Sequence, residues 1–176
     1  MKKFPLLLLD AGPIIKLFEL GIWDKFLQAC DVTVSRVVDN EAKWASREFE
    51  DVRIDLAPYE KKGLLRIFDC DVAAVWSFYS KLSRAYKDRI DADDGEVATL
   101  EFLLSSSEKW VLCSADGPVF RLMGFLGKSQ QGISLEEILK QIGLLPRNLE
   151  WEFTKKFREK YSRTGQADYI QGKGLL

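Results

Sequence analysis

The sequence predicts an α/β fold, a three-layer α/β/α sandwich in which a mainly parallel sheet lies between two layers of helices. Three observations carry that prediction. Leu6-Leu7-Leu8-Leu9 is apolar at every position, as expected of a strand covered on both faces. It ends in Asp10-Ala11-Gly12-Pro13, whose proline can open a helix. Trp110-Val111-Leu112-Cys113 repeats the pattern and ends in Ser114-Ala115-Asp116-Gly117-Pro118. Between these, short β-branched runs alternate with amphipathic stretches, the order of a parallel sheet with right-handed crossovers.

Taken in order, Pro13 to about Leu20 reads as a short helix with Ile14, Leu17 and Phe18 on its apolar face. Gly21 punctuates it, and Ile22 to Cys30 forms a second helix. Asp31-Val32-Thr33-Val34 alternates and is a strand. Ser35 caps a helix predicted to run to about Phe49. Ile54 to Pro58 is a weak strand or loop, and Lys62 to Phe68 another strand. Val72 to about Tyr86 is helical, and Asp91-Ala92-Asp93-Asp94-Gly95-Glu96 opens a helix to about Leu104. Val119 to Phe125 is a helix closed by Gly127. Ile133 to Ile142 is a helix in which Ser134 and Glu137 have capping-box spacing. Leu149 to Tyr161 is the last helix expected. One domain is predicted over 1–176: a core of about 4–127, a helical extension of about 133–163 and a loose, glycine-rich tail over 164–176.

Composition narrows the chemistry. Hydrophobic content of 47% and charged content of 30% are ordinary for a globular domain, and the net charge of −1 supplies no global field for nucleic acid or membrane. The leucine run after Met1-Lys2-Lys3 is too short for a signal peptide and is broken by Asp10, and no stretch could span a membrane. Cys30, Cys70 and Cys113 form no CxxC pair, which suits a reducing, cytoplasmic setting. The chain has no histidine. Ser-His-Asp and Cys-His catalysis and histidine-ligated zinc are therefore excluded, leaving carboxylates with or without a hard metal.

Several carboxylates stand out, each with a structural reading beside a functional one. Asp10 before Gly-Pro is a good helix N-cap, or a metal ligand at a strand end, where open α/β sheets gather ligands. Glu41 falls on the apolar stripe of Val37, Val38, Trp44 and Ala45. It is either an edge residue reaching water or a buried carboxylate that needs a partner. Asp93 and Glu96 have capping-box spacing, yet Asp93-Asp94-Gly95-Glu96 carries more acid than a cap requires. Asp116 lies in a turn sequence and, like Asp10, follows an apolar strand. Gathered in one cleft, these groups require protons or a cation, and oxygen-only ligands favour Mg²⁺ or Mn²⁺.

The ordered set resembles PIN-domain nucleases. Leu-Leu-Leu-Asp-Ala-Gly-Pro-Ile-Ile resembles the family's first strand and first acid. Val-Thr-Val-Ser-Arg-Val-Val-Asp-Asn-Glu, ending at Glu41, resembles the second strand and second acid. Gly95-Glu96-Val97-Ala98-Thr99-Leu100 resembles the Gly-Glu helix motif of one branch, and Cys113-Ser114-Ala115-Asp116 the last strand with its Ser/Thr-x-Asp. The match runs in register from Leu6 to about Phe125. It implies a Rossmann-like sandwich and Mg²⁺- or Mn²⁺-dependent cleavage of RNA. Asp10, Glu41, Glu96 and Asp116 take the acidic positions and Ser114 the hydroxyl position. Asp94 or Asp93 is an alternative third acid.

Stand-alone PIN proteins of this size resemble toxins of toxin–antitoxin pairs, which implies an antitoxin partner and allows a homodimer. A non-catalytic PIN-like module binding nucleic acid or protein is the alternative. A haloacid-dehalogenase domain needs a second aspartate where Gly12 stands, and a response-regulator receiver an acid where Ala11 stands. Carboxylates repel phosphate, so a basic rim is expected. Lys81, Arg84, Lys87 and Arg89 form one candidate. Lys155, Lys156, Arg158 and Lys160 form another, with Trp151 and Phe157 for stacking; a solvated helix face is the plain reading of both.

Overall fold

The computed structural model describes residues 3–47, 50–88 and 95–173. Strand β1 (Phe4–Leu9) leads into helices α1 (Ala11–Glu19) and α2 (Trp23–Ala29). Next come β2 (Cys30–Ser35), α3 (Arg36–Glu41), β3 (Trp44–Arg47), β4 (Glu50–Arg53), α4 (Ala57–Lys61) and β5 (Leu65–Phe68). Then follow α5 (Val72–Ser80), α6 (Arg84–Lys87), α7 (Gly95–Ser105), β6 (Val111–Cys113) and α8 (Gly117–Phe125). The described chain closes with β7 (Gly132–Ile133), α9 (Leu135–Gln141) and α10 (Lys155–Ile170).

The central sheet has the order β5-β2-β1-β6-β7, and each pairing is parallel. The four leucines of β1 therefore sit in the middle strand. Their alternation divides the core. Leu7 and Leu9 pack with Ile14, Leu17, Phe26 and Ile138 on one face. Leu8 packs with Leu100, Leu112 and Phe120 on the other. This is the expected α/β/α sandwich. From β1 the chain moves outward on one side to β2 and β5, then returns to β6 on the other. That reversal makes the carboxyl ends of β1 and β6 the switch point of the sheet, the place where ligands of such sheets bind.

Local chemistry explains the element starts. Asp10 is the N-cap of α1, Ser35 accepts the Val38 N–H (3.1 Å) to cap α3, and Ser134 and Glu137 form the expected capping box on α9.

Several expectations are corrected. The helix opened by Ser35 ends at Glu41, not near Phe49, and residues 44–47 form a strand paired antiparallel with β4. Trp44 is 59% exposed rather than inward, while Ala45 is buried and the Ile54 N–H binds the Lys43 carbonyl (2.8 Å). Tertiary pairing overrides a locally helix-compatible sequence there. The helix expected over 72–86 breaks at 81–83, which lets Leu82 and Tyr86 both bury.

The region after 127 is not an appendage. β7 extends the sheet, and Leu135, Ile138 and Leu139 join the core. Residues 164–170, expected to be loose, complete α10. α10 crosses α8 at backbone contact. A Cβ on Gly165 would overlap the Arg121 carbonyl, and one on Gly124 would overlap that of Ser162. Beside this crossing the buried Asp168 pairs with Arg121 and accepts the Tyr86 hydroxyl (3.1 Å).

Candidate functional site

The adjacency of β1 and β6 puts Leu9 opposite Cys113, so Asp10 and Ser114 leave the sheet side by side. The Asp10 N–H donates to the Cys113 carbonyl (3.0 Å), carrying the ladder one step past the strand. Gly12 then allows the turn after Asp10 to lie on Ala115, where an added Cβ would stand 3.1 Å from the Ala115 Cβ. The two strand-end loops are thus one packed unit.

Asp10 is only 5% exposed. Its Oδ1 accepts the Ala11 N–H (2.8 Å), and its Oδ2 accepts the Ser114 hydroxyl (2.6 Å). Ser114 Oγ in turn accepts the Asp116 N–H (2.9 Å), so its one proton is directed at Asp10. Burial pushes the Asp10 carboxyl up from 3.8 to about 6. The Ser114 and Ala11 hydrogen bonds act against that rise, and the charges of Glu41 and Asp116 add to it. The cap uses one oxygen of Asp10 and the Ser114 hydroxyl binds the other, with the carboxyl buried between them.

Glu41 arrives differently from the expectation. It is exposed at the end of α3, not on a buried stripe. Its Oε1 accepts the Gly95 N–H (2.9 Å), tying α3 to the first turn of α7. Gly95 is required by that approach, since a Cβ would sit 2.5 Å from Val38 Cγ2 and 2.9 Å from Glu41 Oε2. Glu96 is half-buried in the same turn. Asp116 is the N-cap residue of α8, half-buried beside Ser114. Asp93 and Asp94 lie outside the described residues, as does Arg89.

The site therefore unites Asp10, Ser114 and Asp116 at the switch point, with Glu41 in electrostatic reach and Glu96 one residue from its partner Gly95. Among the described residues, no three carboxylates or thiols are arranged as an ion cage. The donor set still fits a hard divalent ion. Mg²⁺ typically takes one or two carboxylates, keeps several waters and completes its shell with substrate phosphate. Asp10 and Asp116 could hold such an ion, and the mutual repulsion recorded in the Asp10 carboxyl would ease on binding it.

The expected basic rims are only partly available. Arg84 is exposed on α6, but Lys87 donates to the Ser80 carbonyl (3.0 Å) and lies over the Tyr79 ring. On α10, Phe157 is buried among Phe120, Trp151 and Tyr161 and is unavailable for stacking, whereas Trp151 is 49% exposed. Arg158 makes a two-point pair with Glu137 (2.9 and 3.0 Å). Sequence periodicity did not reveal that pair. Its only signal was the capping-box glutamate, whose second partner lies 21 residues on.

No protein-family model matches the chain, and no curated protein or solved structure matches it. Among the described residues, no helix is long and apolar enough to cross a membrane.

Proposed function

We propose that this chain is a divalent-metal-dependent ribonuclease of the PIN type, acting in a reducing cytoplasm. The observation that carries the reading is Asp10: a buried carboxyl at the switch point, raised to about 6 and acted on by Glu41 and Asp116. A buried carboxyl whose pKa is raised by desolvation and by acidic neighbours is a recognised mark of functional sites. The position of Asp10 and Asp116 at the carboxyl ends of neighbouring parallel strands agrees with the resemblance to PIN nucleases.

In this reading Asp10 and Asp116 hold Mg²⁺ or Mn²⁺, with Glu41, Glu96 or Asp94 contributing directly or through water. The bound ion would lower the pKa of a water and offset charge developing on the phosphate. Ser114 keeps Asp10 oriented through its directed proton. The N-termini of α1 and α8, which begin directly after Asp10 and Asp116, favour an approaching phosphate. A PIN-like domain of this kind suits the toxin of a toxin–antitoxin pair.

The second reading is a non-catalytic PIN-like binding module. It is favoured by the Glu41–Gly95 bond, which gives one acid a structural task. A fluorescent single-stranded RNA separates the two. Cleavage that requires Mn²⁺ or Mg²⁺ and stops with chelator is expected. RNA bound but left whole in every divalent ion would favour the module.

A further inference from the structure

α10 has two faces of different character. Phe157, Tyr161, Gly165 and Asp168 recur at helical spacing and pack toward α8 and the core. Lys155, Arg158, Glu159, Ser162, Arg163 and Gln166 share the other stripe. That stripe is one wall of a polar cleft of about 460 Å³, whose opposite wall is Ser129, Gln130 and Glu137. The cleft is built rather than incidental. Arg158 is locked to Glu137, Gln166 Nε2 donates to Ser129 Oγ (3.1 Å), and the Ser162 hydroxyl is buried without a hydrogen-bond partner.

Charge in the cleft is uneven. Glu137 is taken by Arg158. Although burial works to raise its carboxyl, Arg158 and Ser134 hold it below the usual range. Lys155 and Arg163 share a single carboxylate, Glu159, at 3.7 Å each, with side chains 54% and 78% exposed. Such surface pairs are worth only about 0–1 kcal/mol, so both cations can turn to an incoming anion at little cost.

The cleft runs along the β7 edge of the sheet: Ser129 and Gln130 stand before β7 and Glu137 after it, so its Glu137–Lys155 end reaches the carboxyl edge. Glu137 sits in the first turn of α9, which starts directly after β7, the neighbour of β6 in the parallel sheet. It therefore shares the carboxyl edge with Asp10 and Asp116. We propose that this cleft binds the phosphodiester backbone of the RNA beside the acidic site, with Lys155 and Arg163 as its phosphate contacts. The inference rests on the ribonuclease reading for its substrate. A strand cut at Asp10 must continue past carboxylates that repel it, and cations on the adjoining rim hold it there.

The test is binding of a short fluorescent single-stranded RNA in chelator, across a salt series, where no cleavage intervenes. Lys155→Glu/Arg163→Glu is compared with wild type and with Lys61→Glu/Lys62→Glu, at the opposite edge of the sheet. The α10 pair is expected to weaken binding about tenfold or more at low salt, and to flatten the log–log salt slope by about 1.4 for two lost phosphate contacts. The control pair should keep most of both, and an acidic peptide at equal charge should compete poorly. An unchanged affinity and slope for the α10 pair would overturn the inference, as would equal losses in the control pair or competition by the peptide equal to that of RNA. Failure of the ribonuclease reading looks different: RNA held through Lys155 and Arg163 yet never cut in Mn²⁺.

Discussion

Asp10→Asn is expected to remove metal-dependent RNA cleavage while raising the stability of the metal-free protein above pH 6. The wild-type carboxyl is raised from 3.8 to about 6, chiefly by burial. The folded state thus binds a proton more tightly than the unfolded chain. Its contribution to stability is fully present below the unfolded value and is lost as pH rises through about 6. The difference amounts to about 3 kcal/mol at neutral pH and above.

Asparagine carries no charge to bury and is as good an N-cap as aspartate. It cannot accept both the Ala11 N–H and the Ser114 hydroxyl, which costs about 1 kcal/mol. Melting without metal should therefore show a higher midpoint than wild type at pH 8, a smaller gap at pH 5, and a flatter pH profile throughout. Loss of outer-shell partners alone costs metal sites about 10–100-fold, so loss of a ligand should cost at least about a hundredfold in cleavage. A variant that is stabilised in this way but still cuts RNA at the wild-type rate would leave Asp10 as a cap and nothing more.

Gly165→Ala is the substitution expected to damage the fold most. Alanine favours a helix interior over glycine by up to about 1 kcal/mol, so the naive expectation is stabilisation. Here the added methyl would occupy the space of the Arg121 carbonyl and stand 2.7 Å from the Phe125 nitrogen, both backbone atoms of α8. Neither can rotate away, so the helices must separate. That would disturb the buried Asp168–Arg121–Tyr86 group, whose loss of geometry strands a charge. A net loss of about 3 kcal/mol, a fall in melting temperature of about 6–12 °C, is expected by calorimetry. Ala167→Gly, on the exposed side of the same helix, should cost only about 1 kcal/mol. Equal or higher stability for Gly165→Ala would mean that α10 does not cross α8 this closely.

Legibility differed between the two halves of the chain. The strands ending in Asp10 and Asp116 were readable because a continuously apolar run followed by an acid and Gly-Pro has few other uses in a parallel sheet. Their shared ending in an aspartate points to neighbouring strands, which the pairing of Leu9 with Cys113 bears out, and the leucines of β1 face two cores in turn. Glu41 is legible only in part. The stripe that made it look buried included Trp44, which is exposed in a strand. What fixes Glu41 is a backbone N–H 54 residues away, at Gly95, and no local pattern reports such a pairing.

The C-terminal region is less legible for related reasons. β7 is only Gly132–Ile133, too short to show a period. Residues 164–170 carry a glycine that lowers helix propensity, yet that glycine is what admits the close crossing with α8. Lys155 and Arg158 stand in the basic cluster that the sequence shows, but Arg163 lies outside it, and the division between a lock on Glu137 and a pair sharing Glu159 requires the geometry of the cleft.

The central claim, that the carboxylates around Asp10 hold a divalent ion, is tested most directly by anomalous diffraction from crystals soaked in Mn²⁺ near pH 7.5. The account predicts a strong anomalous peak at the carboxyl ends of β1 and β6, bonded to Asp10 and Asp116 and absent in Asp10→Asn. A saturating soak with no peak there, or a peak that persists in Asp10→Asn, would contradict it.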